Sequence, residues 1–186
     1  MKYVKVLGLA ATAAMALMAF GAGTASATML YSTGVTLPAG TQVHATMTGT
    51  FHVTTTDEKT LMTTCTSGTI VGSLAYPGGG SPVINISGKT WGGCTSTTDT
   101  LTNGSLSISS SGTVTGSSTV ITKNFGGVSC RYGYGGGTHL GTLGTGSLSI
   151  NAVINEQEPK SFICPDTTRW VATYIITSPH DLTAGP

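Results

Sequence analysis

The clearest feature of the chain is alternation. Over residues 42–56, Val43, Ala45, Met47, Phe51 and Val53 fall on one side, while His44, Thr46, Thr48, Thr50, His52 and Thr54 fall on the other. A period of two marks a half-buried β-strand. Gly49 interrupts the apolar side midway, which predicts a bend or bulge. Residues 147–154 alternate in the same way, with Leu148, Ile150, Ala152 and Ile154 on the apolar face. Over 161–177 there is bulk on both faces: Trp170, Ala172, Tyr174 and Ile176 oppose Val171, Thr173, Ile175 and Thr177. That pattern predicts a central strand covered on both sides, and marks this stretch as the strand that closes the core.

Shorter strands are predicted between these, each stopped by a glycine, proline or polar turn. Pro38-Ala39-Gly40 ends the first, Asp57-Glu58-Lys59 makes a polar turn, and Pro77 to Gly80 ends the strand over 69–76. Gly88 predicts a second bulge, between segments 83–87 and 89–94, and Ser110-Ser111-Gly112 predicts a hairpin. The string Gly-Ser-Leu-Ser-Ile occurs at 104–108 and again at 146–150. In all, the pattern predicts about nine to eleven short strands and no helix. The expected fold is all-β: an antiparallel β-sandwich, with a closed or partly open β-barrel as the alternative.

Composition reinforces this picture. From residue 28 on, about one residue in five is threonine, which suits a pleated surface. Ahead of that point, Lys2 and Lys5 precede an apolar run over 6–20, and Ala25-Ser26-Ala27 has the form read by signal peptidase. The expected division is a secretory signal peptide over 1–27 and a single disulfide-tied β domain over 28–186. The apolar run is shorter than the ~20 residues of a spanning helix, so no transmembrane anchor is expected after cleavage. Removing Lys2 and Lys5 leaves six basic against seven acidic side chains. So few cations make nucleic acid and anionic membranes poor partners. The expected location is secreted or associated with the cell envelope.

Four cysteines, Cys65, Cys94, Cys130 and Cys164, predict two disulfides in an exported chain. Of three possible pairings, the sequential one, Cys65–Cys94 with Cys130–Cys164, closes one loop in each half and is favoured. Close Cys pairs of the kind that bind zinc do not occur, and no metal or cofactor is expected.

Sequence signals for chemistry are thin. The chain has no G-x-S-x-G, H-E-x-x-H or P-loop string. Arg131, Tyr132, Tyr134 and His139 surround Gly135-Gly136-Gly137. An aromatic, glycine-rich loop of this type suits binding of glycans or peptides, so these four are the candidate binding residues. Glu156 and Glu158 stand roughly 6.6 Å apart on an extended chain, near the separation of paired acids in glycoside hydrolysis. They read more simply as a solvated turn. His44 and His52 lie about 26 Å apart on a straight strand, too far to share a metal. Trp91 and Trp170 are expected to pack beside the disulfides. The sequons at Asn85 and Asn103 are read as chance matches.

Four strings together resemble a known group. They are Thr-Thr-Cys-Thr-Ser-Gly-Thr-Ile (63–70), Thr-Trp-Gly-Gly-Cys-Thr (90–95), Leu-Gly-Thr-Leu-Gly (140–144) and Phe-Ile-Cys-Pro-Asp-Thr-Thr-Arg-Trp-Val-Ala-Thr-Tyr (162–174). The chain is similar to small exported, mostly actinobacterial hypothetical proteins with four cysteines. The resemblance implies export, two disulfides and a β fold, and transfers no activity or catalytic residue.

The expected function is that of an exported, non-enzymatic envelope or extracellular protein, acting by surface interaction or as a structural component. The alternative is a β-scaffold that binds a small apolar ligand or a glycan. A second alternative is a hydrolase using Glu156 and Glu158.

Overall fold

A computed structural model describes residues 27–76, 80–96, 98–100, 104–117, 121–125 and 128–186. The expected leader, apart from Ala27, lies outside the described residues, as do most of the turn at 77–80 and Asn103. The described residues form fifteen strands and no helix. The first part contains β1 (Met29–Ser32), β2 (Val35–Thr36), β3 (Gln42–Thr55), β4 (Leu61–Cys65) and β5 (Ser67–Ala75). Next come β6 (Val83–Gly92), β7 (Thr98–Thr100), β8 (Gly104–Ile108), β9 (Thr113–Ser117) and β10 (Ile121–Phe125). The last are β11 (Val128–Gly133), β12 (Thr138–Gly144), β13 (Ser147–Glu156), β14 (Thr167–Ser178) and β15 (Thr183–Gly185).

Eight of these close into a barrel. Around it run β3, β5, β6, β8, β9, β12, β13 and β14, and β14 returns to pair with β3. Every neighbouring pair is antiparallel and follows chain order, so the barrel is an up-and-down meander. The sandwich expectation is therefore corrected to the closed barrel. Alternation is identical in the two architectures. What distinguishes them is whether the outermost strands find one another, and that depends on accumulated twist and bulges. Gly49 supplies one bulge: its φ is +72°, and there β3 shifts register against β14 between Val171 and Thr173. Ser87 is the extra residue of another, since Gly72 faces Ile86 while Val71 faces Gly88. A third lies in β12 between His139 and Gly141. Bulges of this kind increase local twist and help a sheet curl shut.

The predicted inward faces are observed. Leu148, Ile150, Ala152 and Ile154 of β13, and Trp170, Ala172, Tyr174 and Ile176 of β14, are all buried in one core. As expected, β14 closes the fold. Its other face differs from expectation: Ile175 is 46% exposed, so this strand is covered on one side only. The two Gly-Ser-Leu-Ser-Ile strings occupy β8 and the start of β13. They run in opposite directions along the barrel, so they are not equivalent strands.

The barrel has two dissimilar ends. At the terminal end, β15, β1 and β2 form a small sheet across the opening, and Leu30 and Leu182 are fully buried beneath it. Tyr76 fastens this cap: its hydroxyl accepts from the Leu30 N–H at 3.3 Å and donates to the Leu37 carbonyl at 2.9 Å. The opposite, cystine end carries both disulfides, Cys65–Cys94 and Cys130–Cys164. There β11, β10 and β7 extend the sheet beyond the end of β13.

Candidate functional site

Among the described residues, most charged positions lie toward the cystine end. Asp57, Glu58 and Lys59 form the turn from β3 to β4, and Arg169 at the start of β14 pairs with Glu58. Arg131 lies on β11, and Glu156, Glu158, Lys160 and Asp166 lie at the end of β13 or in the connection to β14. Asp99 and Lys123 fall on β7 and β10. Of the charged residues from 28 on, only Asp181 lies beside the terminal cap, and Lys89 is inside the barrel.

Tyr31 and Tyr76 lie at the terminal cap, but most other aromatic rings among the described residues gather toward the cystine end. Phe51 stacks on Trp91 with centroids 5.2 Å apart, and both meet Trp170 edge-on at 6.2 and 6.3 Å. Tyr134 stacks on Trp170 at 6.3 Å. The Trp91 indole N–H donates to the Tyr174 hydroxyl at 3.2 Å. Burial pushes the Tyr174 phenol up to about 12, against that bond. Small residues make room for the cluster: a Cβ on Gly68 would stand 2.7 Å from the Trp91 ring, and one on Gly116 would stand 2.9 Å from Tyr134. Trp170 is buried in the core, and Trp91 is half-buried and packs against it.

Lys89 is the residue that sequence reasoning missed. It lies opposite Ile70 on β6, shares the inward face with Trp91, and is 4% exposed. Burial pushes its ammonium down to about 8. The signal was present in the chain: counting back by two from a core Trp91 lands on Lys89. The extra residue at Ser87 hides it, because alternation continued from Ile84 and Ile86 places Lys89 outside.

The four candidate binding residues do not converge on one exposed patch. Tyr132 and Tyr134 are buried in the core. Arg131 is half-buried, with its guanidinium donating to the Glu158 carbonyl at 3.4 Å. His139 is exposed on β12. Tyr132 lies opposite Glu156. Burial first, then the charges of Glu156 and Asp166, hold its phenol well above the usual range. The Tyr132 hydroxyl, the Trp170 indole N–H and the Thr168 hydroxyl are buried without hydrogen-bond partners. All three lie toward the cystine end.

Glu156 and Glu158 have separate structural tasks. The buried Glu156 carboxylate accepts the Ser161 N–H at 2.9 Å. Exposed Glu158 accepts the Lys160 N–H at 3.2 Å. Among the described residues, no group of three or more His, Cys, Asp or Glu side chains is arranged to hold a metal.

Two concavities bear on binding. Inside the barrel, a cavity of about 20 Å³ is lined by apolar side chains including Val43, Ile70, Leu106 and Ile176. It has room for about one water but offers it no polar partner. On the surface beside the terminal cap, a cleft of about 200 Å³ is lined by Ser110, Ser111, Thr145 and Thr183 over Leu143 and Ala184.

No protein family, no curated protein and no solved structure matches the chain.

Proposed function

We propose that this is an exported, non-enzymatic protein of the cell envelope or extracellular space that acts through its outer surface. The contrast between a filled interior and a hydroxyl-covered wall carries this reading. Sites for small molecules occupy about 300–1,000 Å³, against about 20 Å³ inside this barrel. An apolar ligand therefore has no room at that cavity. Outward positions are mostly Thr, Ser and Asn, tied in places across strands: Thr69 to Thr90 at 2.7 Å, and Ser105 to Ser117 at 2.8 Å. Lipid-facing barrels instead present an apolar band. Two disulfides with no free cysteine belong in an oxidising compartment.

A wall with so little charge binds by hydrogen bonding and shape, so its contacts resist salt. The test is co-sedimentation of the purified, oxidised protein with washed cell walls of the producing cells, from low salt to about 1 M NaCl. The expected result is retention across the whole range. Protein that stays in the supernatant, or is released as salt rises, would overturn the reading.

A second reading, glycan binding, is favoured by the cleft beside Ser110, Ser111 and Thr145. Its walls are hydroxyls and no charged residue lines it, which suits a neutral sugar ring. Titration with neutral oligosaccharides should shift the amide resonances of Ser110, Ser111 and Thr145 before others. Shifts absent there would dismiss it.

A further inference from the structure

Three hydrogen-bonding groups at the cystine end are buried with no partner in the chain: the Tyr132 hydroxyl, the Thr168 hydroxyl and the Trp170 indole N–H. Their residues are 1%, 0% and 2% exposed. The strand register brings them to one part of the inner wall. Thr168 and Trp170 are alternate residues of β14, so they share its inward face, roughly 6.6 Å apart along the strand. On β13, Ile154 faces Thr168, and Glu156, the next inward residue, faces Tyr132 of β11. Two residues on from Tyr132, the Tyr134 ring reaches across β13 to stack on Trp170. Side chains of β11 and β14 therefore meet inside the barrel at this level.

The chemistry of the three groups selects what completes them. A buried donor that leaves water without gaining a partner keeps its whole desolvation cost. The indole N–H can only donate, whereas a hydroxyl donates and accepts, so the missing partner must accept. An anion accepts, but the buried Glu156 faces Tyr132. After burial itself, the charges of Glu156 and Asp166 hold the Tyr132 phenol above its usual range, and the same charges repel an anion. A cation would meet the positive end of the indole N–H. A neutral molecule that both donates and accepts suits all three groups. Water is the smallest such molecule, and a buried water makes about three hydrogen bonds.

We infer that Tyr132, Thr168 and Trp170 form an internal water site at the cystine end of the barrel. None of the three lines the small apolar cavity described above. β11 and β14 are separated by β13 and share no backbone pairing. Water held between their side chains links β11 to the closing strand. The site does not depend on how the outer surface is used.

The test is water-selective nuclear Overhauser spectroscopy of the isotope-labelled, oxidised protein. The Trp170 indole N–H should show a cross-peak to water of the sign that marks long residence. Trp91 is the internal control: its N–H donates to Tyr174, and it should show none. A Trp170 N–H that lacks the cross-peak overturns the site. Thr168→Val keeps the side-chain shape and removes the hydroxyl. If the hydroxyl holds water, this variant should lower the folding equilibrium constant about fivefold in urea unfolding. If the hydroxyl is dry, the constant should rise, because an unpaired buried dipole has been removed. An unchanged or raised constant overturns the proposal. Tyr132→Phe should behave like Thr168→Val, and the double variant should lose less than the two single losses combined, because both hydroxyls hold the same water. Strict additivity refutes a shared site. So does a high-resolution crystal structure in which an ion, or protein atoms alone, contact the three groups.

Discussion

At the terminal end of the barrel, aliphatic side chains fill the interior, Tyr76 hydrogen-bonds the cap to the wall, and Asp181 is the only charged side chain nearby among the described residues. At the cystine end, rings replace aliphatics, charges crowd the rim, and the hydroxyls of Tyr132 and Thr168 and the indole of Trp170 lie buried without partners. Both disulfides are there. The terminal end is chemically consistent, with apolar side chains inside and its cap held by Tyr76. The cystine end departs from that consistency, with buried polar groups and an exposed Phe162, and it is held together by covalent bonds. Departures of this kind concentrate where a surface is used.

Truncations should expose the two ends as separate layers. Trp170→Ala, which removes the ring at the centre of the aromatic cluster, should cost about 3–5 kcal/mol in urea unfolding. Leu182→Ala under the terminal cap should cost about 2–5 kcal/mol. Because the two sites share no partners, the double variant should be additive within about 0.5 kcal/mol. Strong non-additivity would mean that the ends are coupled through the barrel wall.

Next in size is Lys89. Its ammonium sits at about 8 when folded, against 10.5 for the free side chain. The unfolded chain therefore binds more protons between those values, and stability should rise as pH rises through the window. The full difference corresponds to about 3 kcal/mol. Because the raised Tyr132 and Tyr174 phenols oppose it above pH 10, the rise is best read from pH 8 to 10, as wild type minus Lys89→Met. Identical pH profiles for the two proteins would place Lys89 in water.

The disulfides sharpen the contrast further. Each closes a loop of similar length, with sequence separations of 29 and 34. Replacing either pair with alanine should cost about 2–4 kcal/mol. Amide exchange should quicken at β11 and the 157–166 connection when Cys130–Cys164 is removed, and the terminal cap should stay protected. The smallest effect belongs to the wall: Thr90→Val breaks the bond to Thr69 at the surface and should cost about 1 kcal/mol or less. A larger loss would mean that the hydroxyl rows hold the barrel together as well as coat it.

Much of the strand content was legible in the chain, because alternation depends only on which side chains avoid water. Val43 to Val53, Leu148 to Ile154 and Trp170 to Ile176 all point inward as their spacing requires. The favoured cysteine pairing was also correct. The candidate site was less legible. In the sequence Tyr132 and Tyr134 look like loop aromatics because glycines follow them, yet β11 carries Tyr132 into the core and Tyr134 lies against Trp170. Lys89 was hidden by one extra residue at Ser87. Phe162 gave no sign of exposure, since an aromatic beside a cysteine reads as core until the turn's direction is known.

The sequence by itself determined the period-two pattern, the strand faces and the set of cysteines, all of which follow from local spacing and side-chain solubility. Only the tertiary structure decided that β14 meets β3 to close a barrel, that Lys89 faces inward, and that most charges and rings among the described residues share one end. Those outcomes rest on accumulated twist and on bulges at Gly49, Ser87 and His139. Each bulge changes which distant residues meet while leaving the local pattern almost untouched.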